Sequence, residues 1–400
     1  MQDFGPNWVA VHLDSLAHNT MKVRELIGPA VQLLAVVKAD GYGHGAVETA
    51  KTVLANGADR LGVFDLTEAL ILRKAGLNVP ILVFCPPDPG QAEEVVRLGV
   101  DVTLNSLEVA REIGEYAYKS GVLVRTHIKV DTGFHRFGLH VADIPDFLSR
   151  LQDIRGLVIE GIYTHFAVHE KPAMRKQLSR FLQLVDRLET MGLKPPYVHA
   201  ANSAGTVLLP ESHLGMVRVG NLLYGWGPRH LLLKPAWQVM STVKMVRRVR
   251  RGESVGYGSD FTARRDMTIA VLPLGFADGM MMYPSRPVSG VGDALRKSAR
   301  VVLQGIRSLT GDARVRFGEH SAPLVGRVGM QHCAVDVSNL DVKAGDVASV
   351  ECRVTAVPAH VPRVYYEHGR PVRVRVPDGY KTIELEQAEA VQKGPVWLQD

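Results

Sequence analysis

Lys38 ends the apolar run LLAVVK, and ADGYGHG follows at once, a loop with three glycines, Tyr42 and a histidine. A lysine amine in an apolar setting gives up its proton more readily and forms Schiff bases with carbonyls. Reactive residues follow other apolar runs in the same way. Lys129 and Asp131 lead into DTGFHRFG, which holds Arg136, and GLVIEGIY ends in Tyr163 with His165 two residues on. YVHA carries His199 and leads to Asn202 and Ser203; GMVRV carries Arg218 and leads to Gly220, Asn221 and Tyr224. A lysine, two histidines and two arginines at corresponding ends of such runs point to one site. Ser203, the Gly220 and Asn221 amides and the Tyr42 hydroxyl are suited to cradle a phosphate near a helix start. Pyridoxal 5′-phosphate (PLP) needs a lysine and a phosphate cradle together, and its ring is an electron sink for a carbanion beside nitrogen.

The elements that must position these residues recur regularly. The apolar runs are 33–38, 61–64, 80–84, 100–104, 122–130, 156–163, 197–200 and 215–219. Amphipathic helices lie between them. AVETAKTVLANG stops at Gly57; LTEALILRKAG repeats the pattern; NSLEVAREIGEYAYKSG opens with Asn105 or Ser106 as N-cap and Glu108 in the first turn. Eight strands alternating with helices predict an α/β fold, a (β/α)₈ TIM barrel over residues 8–234, with the site at the strands' carboxyl ends. The competing doubly wound sheet lacks its G-x-G-x-x-G signature, because the glycines stand at 41, 43 and 45. From Pro235 the texture becomes short, β-branched, alternating runs, including ARVVLQG, which predicts a mostly β domain over 235–380. An N-terminal strand within 1–13 is expected to pack on that domain, and 381–400 reads as a tail.

Composition narrows the class. The chain has 400 residues, 46% hydrophobic and 22% charged, which is ordinary for a globular protein. No run approaches the ~18 apolar residues of a membrane span. The N-terminus shows no basic region followed by an apolar one, so a cytoplasmic location is expected. Cys85, Cys333 and Cys352 fit no metal spacing. The basic cluster KMVRRVRR (244–251) alternates with apolar residues and reads as a strand with one solvated face, not as a nucleic-acid stripe.

The chain resembles the alanine racemases, PLP enzymes with a barrel and a β domain. AVVKADGYGHG, HIKVDTGFHRFG, GIYTHFA, HAANSAG, VRVGNLLYG, VGYG and LVGRVGMQ match that family's blocks in order, over about residues 8 to 376. The resemblance implies Lys38 as cofactor lysine and as base on one face of the substrate. It implies Tyr257, from the partner subunit of a homodimer, as base on the other, tuned by His165. Arg136 would hold the substrate carboxylate, and Lys129, often carbamylated in the family, would steady Arg136. Arg218 would face the pyridine nitrogen with His199 behind it. Tyr42, Asn202, Ser203, Gly220 and Asn221 would bind the cofactor, chiefly at its phosphate. Met330 would offer its amide to the substrate. A tyrosine is a poor base at its reference pKa near ~10, so cations such as Arg136 and the imidazole are expected to favour its phenolate. His127 and His169 read as packing or surface histidines.

The chain departs from the family at Phe276, where a tyrosine is usual, at Gln331, where a carboxylate is usual, and at Ala359, where a phosphate-binding tyrosine is expected. Tyr365 or Tyr366 would then replace the last contact. An insertion of roughly 25 residues follows the MMMYP run (280–284), within PSRPVSGVGDALRKSARVVLQGIRSLTGDARVRFG. These departures bear on substrate breadth, alanine against serine or larger amino acids. Two other readings share the layout. Barrel-type PLP decarboxylases place a carboxylate at the pyridine nitrogen, which Arg218 opposes. Single-barrel PLP carriers end near residue ~230 and lack a β domain with a tyrosine.

Overall fold

The computed structural model describes residues 4–282, 290–292, 294–296, 298–299, 315–375 and 382–384. Nearly all of the predicted strand ARVVLQG, most of the insertion, Tyr283, Pro284 and all of the tail but 382–384 lie outside the described residues. Contacts divide the chain into two units, one spanning Leu13–Ala236 and the other joining the N-terminal strand to the chain from Trp237 onward.

The first unit is a barrel of eight parallel strands. In chain order they are Gln32–Val36, Arg60–Val63, Ile81–Val83, Asp101–Leu104, Val124–Asp131, Leu157–Tyr163, Tyr197–His199 and Met216–Val219. Each pairs with its predecessor from the second to the seventh, and the eighth pairs with the first. The seventh and eighth meet through Gly215 N–H to the Val198 carbonyl (3.1 Å) and Arg218 N–H to the Ala201 carbonyl (2.9 Å). All eight apolar runs thus form strands. The expected helices stand at Ala46–Ala55, Leu66–Lys74 and Leu107–Lys119. Ser106, not Asn105, caps the last, accepting the Val109 N–H at 3.4 Å.

One boundary differs from the sequence reading. The first strand stops at Val36, and Lys38 opens a one-turn segment, Lys38–Tyr42. Ala39, Asp40, Gly41, Tyr42 and Gly43 all have positive φ, between 51° and 83°. A left-handed turn costs an L-residue roughly 1–2 kcal/mol, so Ala39, Asp40 and Tyr42 need support. The Glu68 carboxylate accepts the Ala39 N–H at 2.6 Å and the Phe64 N–H at 2.7 Å. Asp40 accepts the Ala46 N–H at 3.0 Å, and Gly41 N–H reaches the Val37 carbonyl at 2.8 Å. Tyr42 packs on Tyr224 with ring centroids 4.7 Å apart.

A buried ionic cluster fills the amino end of the barrel. Arg60 reaches Asp101 (3.4 Å), Glu160 (3.1 Å) and Gln32 (2.6 Å), and Arg125 reaches the other Asp101 oxygen (2.7 Å). The Arg60 guanidinium also lies 4.6 Å from the Tyr197 ring centroid.

The second unit is mostly β. Its larger sheet has eight strands and contains Asn7–His12, antiparallel to Trp237–Thr242 and parallel to Arg363–Glu367. A four-stranded sheet is formed by Met245–Val249, Met267–Leu272, Cys333–Asp336 and Leu324–Val325. The basic cluster supplies the first of these strands, with Arg247 and Arg248 exposed.

Removing one member of the Asp101 cluster leaves arginine charge uncompensated. Asp101→Ala is expected to destabilise the barrel by about 3 kcal/mol, the lower end for a broken buried pair because Arg60 keeps Glu160. Urea unfolding followed by circular dichroism checks this.

Candidate active site

At the carboxyl ends of the barrel strands lies a cavity of about 210 Å³. Lys38, Tyr42, Lys129, Arg136, His165, Asn202, Ser203, Arg218, Gly220 and Asn221, ten of the residues singled out from sequence, line it. Phe64, Phe84, Phe137 and Tyr163 add an aromatic wall, and His169 stands at the wall rather than away from it. His199 is fully buried behind Arg218 and is not part of the lining.

Four cations converge here. Burial, with the nearby Arg136 charge, pulls the Lys38 amine below its ordinary pKa, while Glu68 opposes this. Burial and the charges of Arg136 and Arg218 pull Lys129 down to about 7. Its ammonium lies 5.5 Å from the Tyr163 ring centroid and 5.6 Å from that of Phe137. Arg136 is exposed and stacks on Phe134, 4.3 Å from the ring centroid.

Arg218 stays charged. Burial lowers it only to about 10. It donates through Nη2 to the Thr164 (2.5 Å) and Ala200 (3.1 Å) carbonyls and through Nη1 to His199 Nδ1 (2.9 Å). Its guanidinium lies 4.9 Å from the Tyr163 ring centroid. Among the described residues no carboxylate pairs with it. Tyr163 supports the arrangement from below. Its hydroxyl meets Thr103 at 2.9 Å, and its ring stacks on His199 at 4.8 Å and 15°.

On one wall, Asn202 caps the short helix Ser203–Leu208, accepting the Gly205 N–H at 3.0 Å. Its amide also donates to His165 Nε2 at 3.3 Å. The Ser203 hydroxyl accepts the Gly220 N–H at 3.1 Å. A Cβ at residue 220 would sit 2.5 Å from the Tyr42 hydroxyl, so only glycine allows these groups to meet. Burial raises the Tyr42 pKa, which keeps its hydroxyl a donor. Ser203, Gly220 and Tyr42 therefore form a donor-rich hollow beside Lys38.

His165 corrects an expectation. Burial and the surrounding cations hold its pKa down at about 2. It is a neutral imidazole and adds no positive charge. With Nε2 accepting from Asn202, its proton resides on Nδ1.

Tyr257 and Met330 belong to the second unit, where they are 65% and 62% exposed. The loops there are tied together by Phe276 N–H to the Gly329 carbonyl (3.1 Å) and Ala277 N–H to the Met330 carbonyl (2.9 Å). A Cβ at residue 329 would lie 2.3 Å from the His332 ring, which stands 6.3 Å from the Tyr257 ring. Phe276, Met281 and Met282 are exposed, while Met280 is buried. Tyr365 is buried in the larger sheet and Tyr366 packs on His12.

Sequence reasoning named Tyr163 without giving it a role, and it missed Glu68 and the pairing of His127. The spacing Asp65-x-x-Glu68 before an apolar helix marks a capped start, with Asp65 accepting the Glu68 N–H at 2.9 Å. Tyr163 ends its strand, two residues before His165.

The sequence profile "Alanine racemase, N-terminal domain" matches residues 11–228, and "Alanine racemase, C-terminal domain" matches 236–362. The chain belongs to the alanine racemase family. It is 36% identical over 356 residues to the alanine racemase of Methanococcus maripaludis, covering 86% of this chain and 88% of that one. It is 36% identical over 394 residues to the alanine racemase of Desulforamulus reducens, covering 94% and 99%. Among solved structures it resembles alanine racemase of Clostridium difficile 630, with a TM-score of 0.82 at 27% identity over 94% of this chain and 99% of that one. Among the described residues no helix is long and apolar enough to cross a membrane, and no cluster of His, Cys, Asp and Glu could hold a metal ion.

The Lys129 pKa carries a sign. Its folded value of about 7 lies below the unfolded value near ~10.4. Between those limits the unfolded chain binds more protons, so stability rises with pH. In CO₂-free buffer, unfolding free energy is expected to climb from pH 7 towards 10, and Lys129→Met to flatten that climb.

Proposed function

We propose that this family member interconverts L- and D-alanine with PLP as cofactor, Lys38 serving one face of the α-carbon and Tyr257 of a partner subunit the other. The observation that carries this reading is the cavity in which Lys38, Arg218 and the Ser203–Gly220–Tyr42 hollow converge.

The residues suit the cofactor. Lys38 would hold it, Ser203, Asn221 and Tyr42 would donate to its phosphate, Gly220 would leave the space for it to approach, Asn202 and His165 would line its edge, and Arg218, backed by His199, would donate to its ring nitrogen. When bound, PLP supplies an electron sink for negative charge on the carbon next to nitrogen.

The chain's own groups do the rest. Inversion requires a proton to leave one face and another to arrive on the opposite face, and a base on each side does this with little movement. Burial and the Arg136 charge lower the Lys38 pKa, which favours the free amine that a base requires. Neutral His165 would act on Tyr257 as a hydrogen-bond partner, leaving Arg136 as the cation that favours the phenolate. Arg136 would also bind the substrate carboxylate, together with the Met330 amide. Arg218 cannot surrender its proton in practice, so the ring nitrogen would stay unprotonated and side reactions such as transamination would be discouraged. The same arginine opposes the decarboxylase reading. Lys129, with an amine that titrates near neutrality, is suited to form a carbamate with carbon dioxide and so turn from a repelling cation into an anionic partner for Arg136. Two such composite sites make a homodimer the working form. D-alanine so formed would serve peptidoglycan in the cytoplasm.

Phe276 in place of a tyrosine, beside exposed Met281 and Met282, supports a second reading, racemisation of serine or larger amino acids at the same site. A panel of amino acids scored by α-proton exchange separates the two.

Tyr257→Phe in the holoenzyme is expected to lose α-deuterium exchange from one alanine enantiomer by on the order of 100-fold while largely sparing the other. Equal losses for both enantiomers would overturn the two-base assignment.

A further inference from the structure

Behind Arg218 a line of imidazoles runs down the barrel axis. His199 Nδ1 accepts from Arg218, and His199 Nε2 lies 3.0 Å from His127 Nδ1. Both rings are buried and cross at 84°. His127 Nε2 has no hydrogen-bond partner among the described residues. Gly161 makes room for this: a Cβ there would lie 2.3 Å from His127 Nδ1.

The proton positions follow from valence. Arginine has only donors, so His199 Nδ1 must present its lone pair to Arg218. Burial and the Arg218 charge hold His199 far below its ordinary pKa, and burial with Arg60, Arg218 and Arg125 lowers His127 to about 3. Each ring is neutral and carries one proton. The His199 proton is therefore on Nε2 and donates to His127 Nδ1. The His127 proton is then on Nε2, the buried atom without a partner. Leaving such a donor unmet is costly, a cost that the bonds at the Arg218 end of the line must offset.

We propose that His127 is a positioning residue for Arg218: by accepting the His199 Nε2–H, it fixes the His199 tautomer whose Nδ1 lone pair faces the guanidinium. With three N–H groups committed to Thr164, Ala200 and His199, the Nε–H and the second Nη1–H remain for the cavity that Arg218 lines. If His127 carried its proton on Nδ1, His199 would be driven to the other tautomer, and its Nδ1–H would oppose an Arg218 N–H.

The inference rests on the PLP-racemase reading for what Arg218 contacts, but the tautomers are observable without it. Neutron diffraction from deuterated holoenzyme crystals is expected to show deuterium on Nε2 of both His199 and His127 and on Nδ1 of neither. Deuterium on His199 Nδ1 would overturn the proposal. His127→Leu removes the acceptor and is expected to lower kcat on the order of tenfold, with KM for alanine within about twofold, in line with losses for outer partners of a charged centre. Its ratio of transamination to racemisation should rise. His127→Asn, whose Oδ1 can replace Nδ1 as acceptor, should restore most of kcat. A folded His127→Leu enzyme with wild-type kcat and side-reaction ratio would also overturn the proposal. If His127→Leu does not fold, the deuterium positions decide alone. A wild-type enzyme that failed to racemise would instead defeat the functional reading and leave the tautomer assignment standing.

Discussion

Lys38, Lys129, Arg136 and Arg218 share one end of the barrel, and among the described residues no carboxylate pairs with Arg218. Like charges brought together in a low dielectric must lose protons or find acceptors. Both lysines are pulled towards the first course, Lys129 down to about 7. Arg218 cannot, so two backbone carbonyls and an imidazole carry its charge. That requirement reaches outward. His199 must be neutral to accept, Tyr163 lies flat beneath it, and His127 Nδ1 stands where it can accept the His199 Nε2–H. The result is a patch of positive potential suited to an anionic, aromatic ligand.

The second constraint is backbone strain. The left-handed turn from Ala39 to Gly43 follows Lys38 directly. Strain of this kind persists only where its surroundings over-determine it. Here Glu68 joins two loops by accepting N–H groups from Ala39 and Phe64, and Asp40 closes onto Ala46. His44 adds a bond to the Gly41 carbonyl at 3.0 Å and packs on Tyr224. The turn brings Tyr42 back to Gly220, at the far end of the chain's barrel. The strained loop and the phosphate hollow are thus one construction.

Polar chemistry continues through the barrel. Its carboxyl end holds the cations, its middle holds His127, His199 and Thr103, and its amino end holds the Arg60–Asp101–Glu160 cluster. The aliphatic layers usual in such barrels are interrupted here by side chains whose hydrogen bonds must close on one another. Every step along that line is a directional commitment, which gives the interior a rigidity that apolar packing alone would not.

Much of this was legible in the chain itself. Eight apolar runs of strand length set the barrel, because periodicity and turn residues are local properties. Residues just past those runs named most of the cavity wall, because a barrel sends all its strand ends to one face. Local patterning also placed the helix caps, although only the fold chose Ser106 over Asn105. The tertiary structure decided what depends on neighbours distant in sequence. It ended the first strand at Val36, made His165 a neutral acceptor, turned His127 from packing into the end of a hydrogen-bonded line, and gave Glu68 its bridging task. Burial and long-range charge set those states, and neither is written in any short stretch of residues.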